Sequence, residues 1–199
     1  MNSKAKAWAA AASLAGLGLA LTGCLSLGPK TPKQLLNLTA ASVAPAGASA
    51  SGTSDKALTV LGIRAPQELD VTRVPVRING SSLAYLKDAD WVEKPARLFA
   101  GLLSETIRAK GNRLVVTGSD VEYSAATKLS GTLSAMDYDA GQGAAVVRFD
   151  AVLQNGEGQI RTQRFESVVP GVPAEAGAVG QALNRAANEV AAQVAEWVG

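Results

Sequence analysis

Val74, Val76 and Ile78 alternate with Arg73, Pro75 and Arg77, the period-two pattern of a strand with one apolar face. Pro75 cannot donate to a ladder, so this strand lies at an edge or carries a bulge. Asn79-Gly80 then reads as a tight turn into Leu83 and Tyr85, which gives a hairpin. Upstream, Leu58, Val60, Leu61 and Ile63 form a short β-rich run stopped by Pro66, and Gln34 to Leu38 is a short apolar patch suited to a first strand.

The period changes at Pro95. Leu98, Phe99, Leu102, Leu103, Thr106 and Ile107 recur at helical spacing, which predicts a helix over 95–110. Pro95 suits its first turn and Gly111-Asn112 its stop. Leu114, Val115 and Val116 follow as a short buried strand. A β-meander comes next. Leu129, Leu133 and Ala135 are read on one face, with Gly131 between them. The turn is 139–143, and Val147, Phe149, Ala151 and Leu153 alternate with polar neighbours. Asn155-Gly156 turns into a strand from Ile160 to about Val169. After Pro170 and Pro173, a stripe of Val179, Leu183, Ala186, Val190, Val194 and Trp197 predicts a last helix reaching about Val198. Its many Ala and Gly positions let it lie close to a sheet. The order predicts an α+β domain: a mostly antiparallel sheet with two helices packed on one face.

The first residues follow another rule. Lys4 and Lys6 precede an apolar run, Ala7 to Leu21, interrupted only by Ser13 and glycines. At about 15 residues it is short for a membrane span and fits a signal-peptide core. Leu21-Thr22-Gly23-Cys24 ends it and resembles the lipobox of bacterial lipoprotein precursors. Cys24 is the only cysteine, and its thiol is the expected lipid attachment site. Acyl chains there, at about 0.8 kcal/mol per buried CH₂, hold a domain on a bilayer. Leu25 follows it; an Asp there resembles an inner-membrane retention signal in enteric bacteria. The expected location is therefore the outer membrane, facing the periplasm, with the inner membrane as the alternative. The expected organisation is a signal peptide over 1–23, a lipidated N-terminus and flexible tether over 24–56, and the domain over 57–199. The tether reading rests on residues 39–56, which carry almost no large side chain.

Composition removes much chemistry. The 199 residues include no histidine, so no His-based triad, His general base or Cys/His metal cluster is possible. Among 19 basic and 17 acidic residues, the two surplus cations are Lys4 and Lys6 of the leader. The mature part is neutral, without the electrostatic footprint of a nucleic-acid binder. Aromatics are 5%, so the core rests on Val, Leu, Ile and Ala. Gly141-Gln142-Gly143 and Gly156-Glu157-Gly158 lack the context of phosphate loops and read as hairpin turns. Asp137, Asp139 and Asp150 read as turn and surface carboxylates rather than a metal or acid–base pair. No catalytic residue, metal or cofactor is expected beyond the lipid on Cys24, and no enzyme activity.

Tyr85 and Trp91 have two readings. Core packing is the commoner use of large aromatics. The alternative is a partner interface, where Trp, Tyr and Arg are enriched, and Arg73 and Arg77 on the polar face of their strand fit it.

A set of segments extends this. Arg64-Ala65-Pro66-Gln67-Glu68-Leu69-Asp70, then Arg73-Val74-Pro75-Val76-Arg77, Leu83-Ala84-Tyr85, Trp91 and Pro95, with Tyr138-Asp139 and Phe149 later, occur in that order. Together they resemble the ABC-type transport auxiliary lipoprotein family over nearly the whole mature chain. Two departures are visible: the first segment is Leu35-Leu36-Asn37-Leu38, without tyrosine, and Pro75 stands where many members have none. The resemblance implies an envelope-spanning system with an ABC ATPase and permease, an MCE-type substrate-binding protein, and this lipoprotein at its outer-membrane end. It implies docking or gating in lipid or hydrophobic-solute transport. A lipopolysaccharide or peptidoglycan assembly lipoprotein is the alternative.

Overall fold

The computed structural model describes residues 35–111, 113–117 and 125–199. The expected signal peptide, the expected lipobox and Cys24 lie outside the described residues.

Among the described residues, eight strands form one sheet: β1 (Leu35–Leu36), β2 (Leu58–Val60), β3 (Arg73–Arg77), β4 (Leu83–Trp91), β5 (Val115–Val116), β6 (Thr127–Asp139), β7 (Ala144–Gln154) and β8 (Ile160–Val169). Helix α1 (Pro95–Lys110) follows β4, and α2 (Ala176–Val198) closes the described chain. The expected order and class are those observed.

The long strand β6 organises the sheet. One of its sides pairs antiparallel with β7 along its whole length, and β7 pairs antiparallel with β8. Its other side is shared end to end. β2 runs parallel to residues 127–129, and β3 runs parallel to residues 138–139. β5 extends the β2 branch, while β4 and then β1 extend the β3 branch. The long pairings are antiparallel, so the sheet is mostly antiparallel.

Both helices cover one face. Phe149 of β7 lies 5.2 Å, centroid to centroid, from Phe99 of α1. Phe165, opposite Phe149 in the ladder, meets Trp197 of α2 edge-on at 5.6 Å. The α1 termini follow from local rules. Pro95 sits in the first turn, where its missing N–H costs nothing. Gly111 takes φ 76°, and its N–H donates to the Arg108 carbonyl, a left-handed cap that glycine adopts without strain. Helix α2 buries Val179, Ala182, Leu183, Ala186, Ala187, Val190, Ala191 and Val194, mostly small side chains that allow close approach. Gly131 makes comparable room inside the sheet. A Cβ there would stand 2.3 Å from the Asp150 carbonyl oxygen and 2.6 Å from the Phe149 ring.

Three expectations change. First, Ala135 does not share a face with Leu133. The β6–β7 register shifts between these residues, so Leu133 lies opposite Phe149 but Ala135 opposite Arg148. One extra residue reverses the alternation, a bulge invisible to a period-two reading. Second, the two expected settings for Pro75 narrow to one: β3 is interior, flanked by β4 and β6, and the expected bulge is present. The β3–β4 register shifts between Arg73 and Pro75. The extra β4 residues include Asp88 at φ 56°, a left-handed position that Asp tolerates better than most side chains. Third, residues 39–44, read as part of a flexible tether, are held, next to the short first strand expected at residues 34–38. Leu36 is buried, and Asn184, Asn188 and Glu105 take hydrogen bonds from the backbone at residues 39, 41 and 44. Side chains far along the sequence hold this segment, and its own composition does not announce them.

Candidate functional site

Among the described residues, no helix lies on the second face of the sheet. On β3, Val74 and Val76 join the helix-side core, so alternation puts Arg73, Pro75 and Arg77 on the other face, where Pro75 is itself buried. Register extends the outward set. Pro75 lies opposite Tyr85, Asp137 opposite Val146, and Val146 opposite Val168. The bulge in β6 puts Asp137 here, since it shifts the strand's parity just before that residue.

Ion pairs lace this face. Arg77 Nη2 donates to Asp137 Oδ2 at 2.8 Å. Arg148 pairs with Glu166, and Arg164 with Asp150, across the β7–β8 ladder. Asp137 differs from the other carboxylates because its side chain is only 4% exposed, against 39% for Arg77. Burial pushes its carboxyl above the ordinary carboxylate range, although the Arg77 hydrogen bond and charge pull the other way. Arg77 is held more firmly charged by Asp137. Asp150 moves in the opposite direction, downward, chiefly through the Arg164 hydrogen bond.

Arg73 is the cation of this face that finds an aromatic partner. Its guanidinium lies 3.7 Å from the centroid of the Tyr85 ring. Arg73 is exposed and Tyr85 half-buried, a cation–π pair at the surface. Val168 and Leu83, 43% and 40% exposed, add apolar area on either side.

The structure brings together three of the four residues marked from sequence. Arg73, Arg77 and Tyr85 share the open face. Trp91 takes the other reading. It is 2% exposed, it lies opposite Leu36 on the helix-covered side, and its Nε1–H meets no partner among the described residues. Trp91 is core, and no partner can reach its ring. Sequence reasoning missed Asp137 as a member of the face, because only the bulge puts it there. Among the described residues no three acidic or cysteine side chains gather around one point that could hold a metal ion, and no helix is long and apolar enough to cross a membrane.

The described residues form a two-layer α+β domain with one helix-covered face and one ion-paired face. The particular family follows from comparison. The model of the ABC-type transport auxiliary lipoprotein component matches residues 37–195, and the chain belongs to that family. It is a family of transport accessory components, not one defined by an enzyme activity. The crystal structure of a Xanthomonas campestris protein of family model DUF330 superposes with a TM-score of 0.70 at 18% identity, covering 83% of this chain and 94% of that one. A second crystal structure, of an uncharacterized protein, gives 0.64 at 12% identity, covering 83% and 100%. At these identities the likeness shows the fold. No curated protein matches the sequence.

Proposed function

We propose that this chain is a lipid-anchored accessory protein of an ABC system with an MCE-type substrate-binding protein, moving lipid or another hydrophobic solute across the cell envelope. The observation that carries the reading is the family match over residues 37–195. Cys24 at the end of a signal-peptide core supports the anchor, and Leu25 after it supports the outer membrane facing the periplasm. The domain acts by docking, and its docking surface is the open sheet face centred on Arg73, Tyr85 and Arg77. Among the described residues that face carries no helix, and it offers a guanidinium over an aromatic ring and exposed apolar neighbours, the residue types that anchor interfaces.

Two measurements test this. Metabolic labelling with palmitate should mark the wild-type chain and leave Cys24→Ser unmarked and released from membranes; an unlabelled wild-type chain removes the anchor. Affinity capture after mild crosslinking should recover an MCE-domain protein with its permease or ATPase. Recovery of lipopolysaccharide or peptidoglycan assembly proteins in their place overturns the transport assignment in favour of envelope assembly.

A further inference from the structure

Residues 39–44 are Thr-Ala-Ala-Ser-Val-Ala, a sequence with little apolar area to bury, and Val43 is 63% exposed. The segment is nevertheless fixed, and polar side chains from both helices fix it through its backbone. Thr39 N donates to Asn184 Oδ1 at 2.8 Å, and Ala41 N donates to Asn188 Oδ1 at 2.7 Å. Asn188 Nδ2 returns a bond to the Thr39 carbonyl at 2.9 Å, so one amide side chain reads both a donor and an acceptor of the extended segment. Ala44 N donates to Glu105 Oε1 at 2.8 Å, while the other Glu105 oxygen is held by Arg108 at 2.6 Å. Asn184 and Asn188 stand one turn apart on α2, and Glu105 faces them from α1. Just upstream, Leu36 is seated so closely on α2 that a Cβ at Gly180 would come within 2.5 Å of its Cδ2.

We propose that Asn184, Asn188 and Glu105 form a peptide-backbone-binding site on the helical layer whose ligand is this chain's own residues 39–44, and that, together with β1 seated on β4, it keeps the membrane tether short. The role of the site rests on the lipid anchor at Cys24 proposed above. With residues 35–44 seated, the leash from Cys24 is residues 25–34, at most about 35 Å when fully extended. With that segment unseated, the next fixed point is Ser54, whose carbonyl accepts from Ala126 N. The leash would then be residues 25–53, about 100 Å at full extension. Strand β1, paired on β4, and this site together therefore decide whether the domain sits against the bilayer or ranges far from it. A backbone-reading site explains why a segment of small residues is held at all, since its side chains contribute little.

The experiment uses the full lipidated chain in phospholipid vesicles, with a donor dye at Ser81→Cys and acceptor-labelled lipid headgroups. A ten-residue Gly/Ser insertion after residue 34 lengthens the leash and should lower energy transfer. The same insertion after residue 48 lies behind the seated segment and should leave transfer unchanged. Equal loss from both insertions overturns the proposal. A second readout needs no lipid: Asn188→Ala removes two of the four backbone contacts, so amide exchange within residues 39–44 should quicken on the order of tenfold, with β6 and β7 unaffected. If these amides exchange in the wild type as fast as in a free peptide, the site does not hold them and the proposal fails. Wild-type protection in a chain that never takes up palmitate would remove the anchor while leaving the backbone site in place, so the two failures are distinguishable.

Discussion

Replacing Arg77 by Met tests the central pair of the open face. A fully buried ion pair broken on one side costs about 3–5 kcal/mol, because a charge is stranded, whereas an exposed pair is worth about 0–1 kcal/mol. Here Asp137 is 4% exposed and Arg77 39% exposed, so one partner is inside and the other is wet. Discounting for that solvent access, Arg77→Met should cost about 1.5–3 kcal/mol at pH 7. The loss is capped because Asp137 can take up a proton. Its carboxyl already sits above the ordinary range through burial, and without the guanidinium it rises further. A folded-state pKa above the unfolded one favours the folded state at low pH. That contribution is fully present below the unfolded value and is lost as pH rises through the folded one. The destabilisation of Arg77→Met should therefore shrink as pH falls from 7 towards 4. Arg77→Met/Asp137→Leu, which strands no charge, should recover most of the loss. Urea unfolding of the Cys24→Ser chain and its variants at both pH values measures all of this, and the double-mutant cycle isolates the pair. A loss at pH 7 below about 0.5 kcal/mol, or one independent of pH, would refute the claim that Asp137 is a buried carboxylate held by Arg77.

Three further outcomes are expected. Gly131→Ala should destabilise by about 2–4 kcal/mol in denaturant unfolding, since its Cβ meets the Asp150 carbonyl oxygen at 2.3 Å; strand propensity alone predicts a gain of about 0.5–1 kcal/mol, so the sign decides. Trp91→Ala should cost about 3–5 kcal/mol, whereas Tyr85→Ala should cost about 1 kcal/mol and reduce partner capture with the fold intact by circular dichroism. Glu105 is held below the ordinary carboxylate range, first by the Ala44 N–H and then by Arg108. Its support of residues 39–44 is thus present above the unfolded carboxylate value and lost as pH falls through the lower folded one, and pepsin cleavage within 37–48 should rise across that window, less steeply in Glu105→Gln.

The layers of the fold were legible because they follow from periodicity. Helix α1 has its apolar residues three and four apart between a proline and a glycine. The β6–β8 meander has alternation long enough to outvote its irregularities. What escaped the sequence has one physical character: side chains that act at a distance on a segment with no signal of its own. Residues 39–44 read as tether because their composition is that of a tether, and only Asn184, Asn188 and Glu105, all distant in sequence, fix them. Asp137 read as a turn carboxylate because a strict alternation across β6 is wrong after the bulge.

Trp91 carries the same lesson into function. A tryptophan beside a strand of arginines has the composition of an interface anchor, and composition cannot tell which face of β4 it takes. Parity decides: Trp91 lies opposite Leu36, and Ala89, two residues earlier, is buried with it on the helix side. Tyr85, in contrast, lies opposite Pro75 and beneath the Arg73 guanidinium. The three extra residues of β4 near Asp88 separate the two aromatics onto opposite faces although their spacing in sequence is even. That separation assigns them different jobs. Trp91 holds the entry strand β1 against the domain, and Tyr85 with Arg73 remains available on the open face. Substitution at the first should unfold before it affects binding, and substitution at the second should affect binding without unfolding.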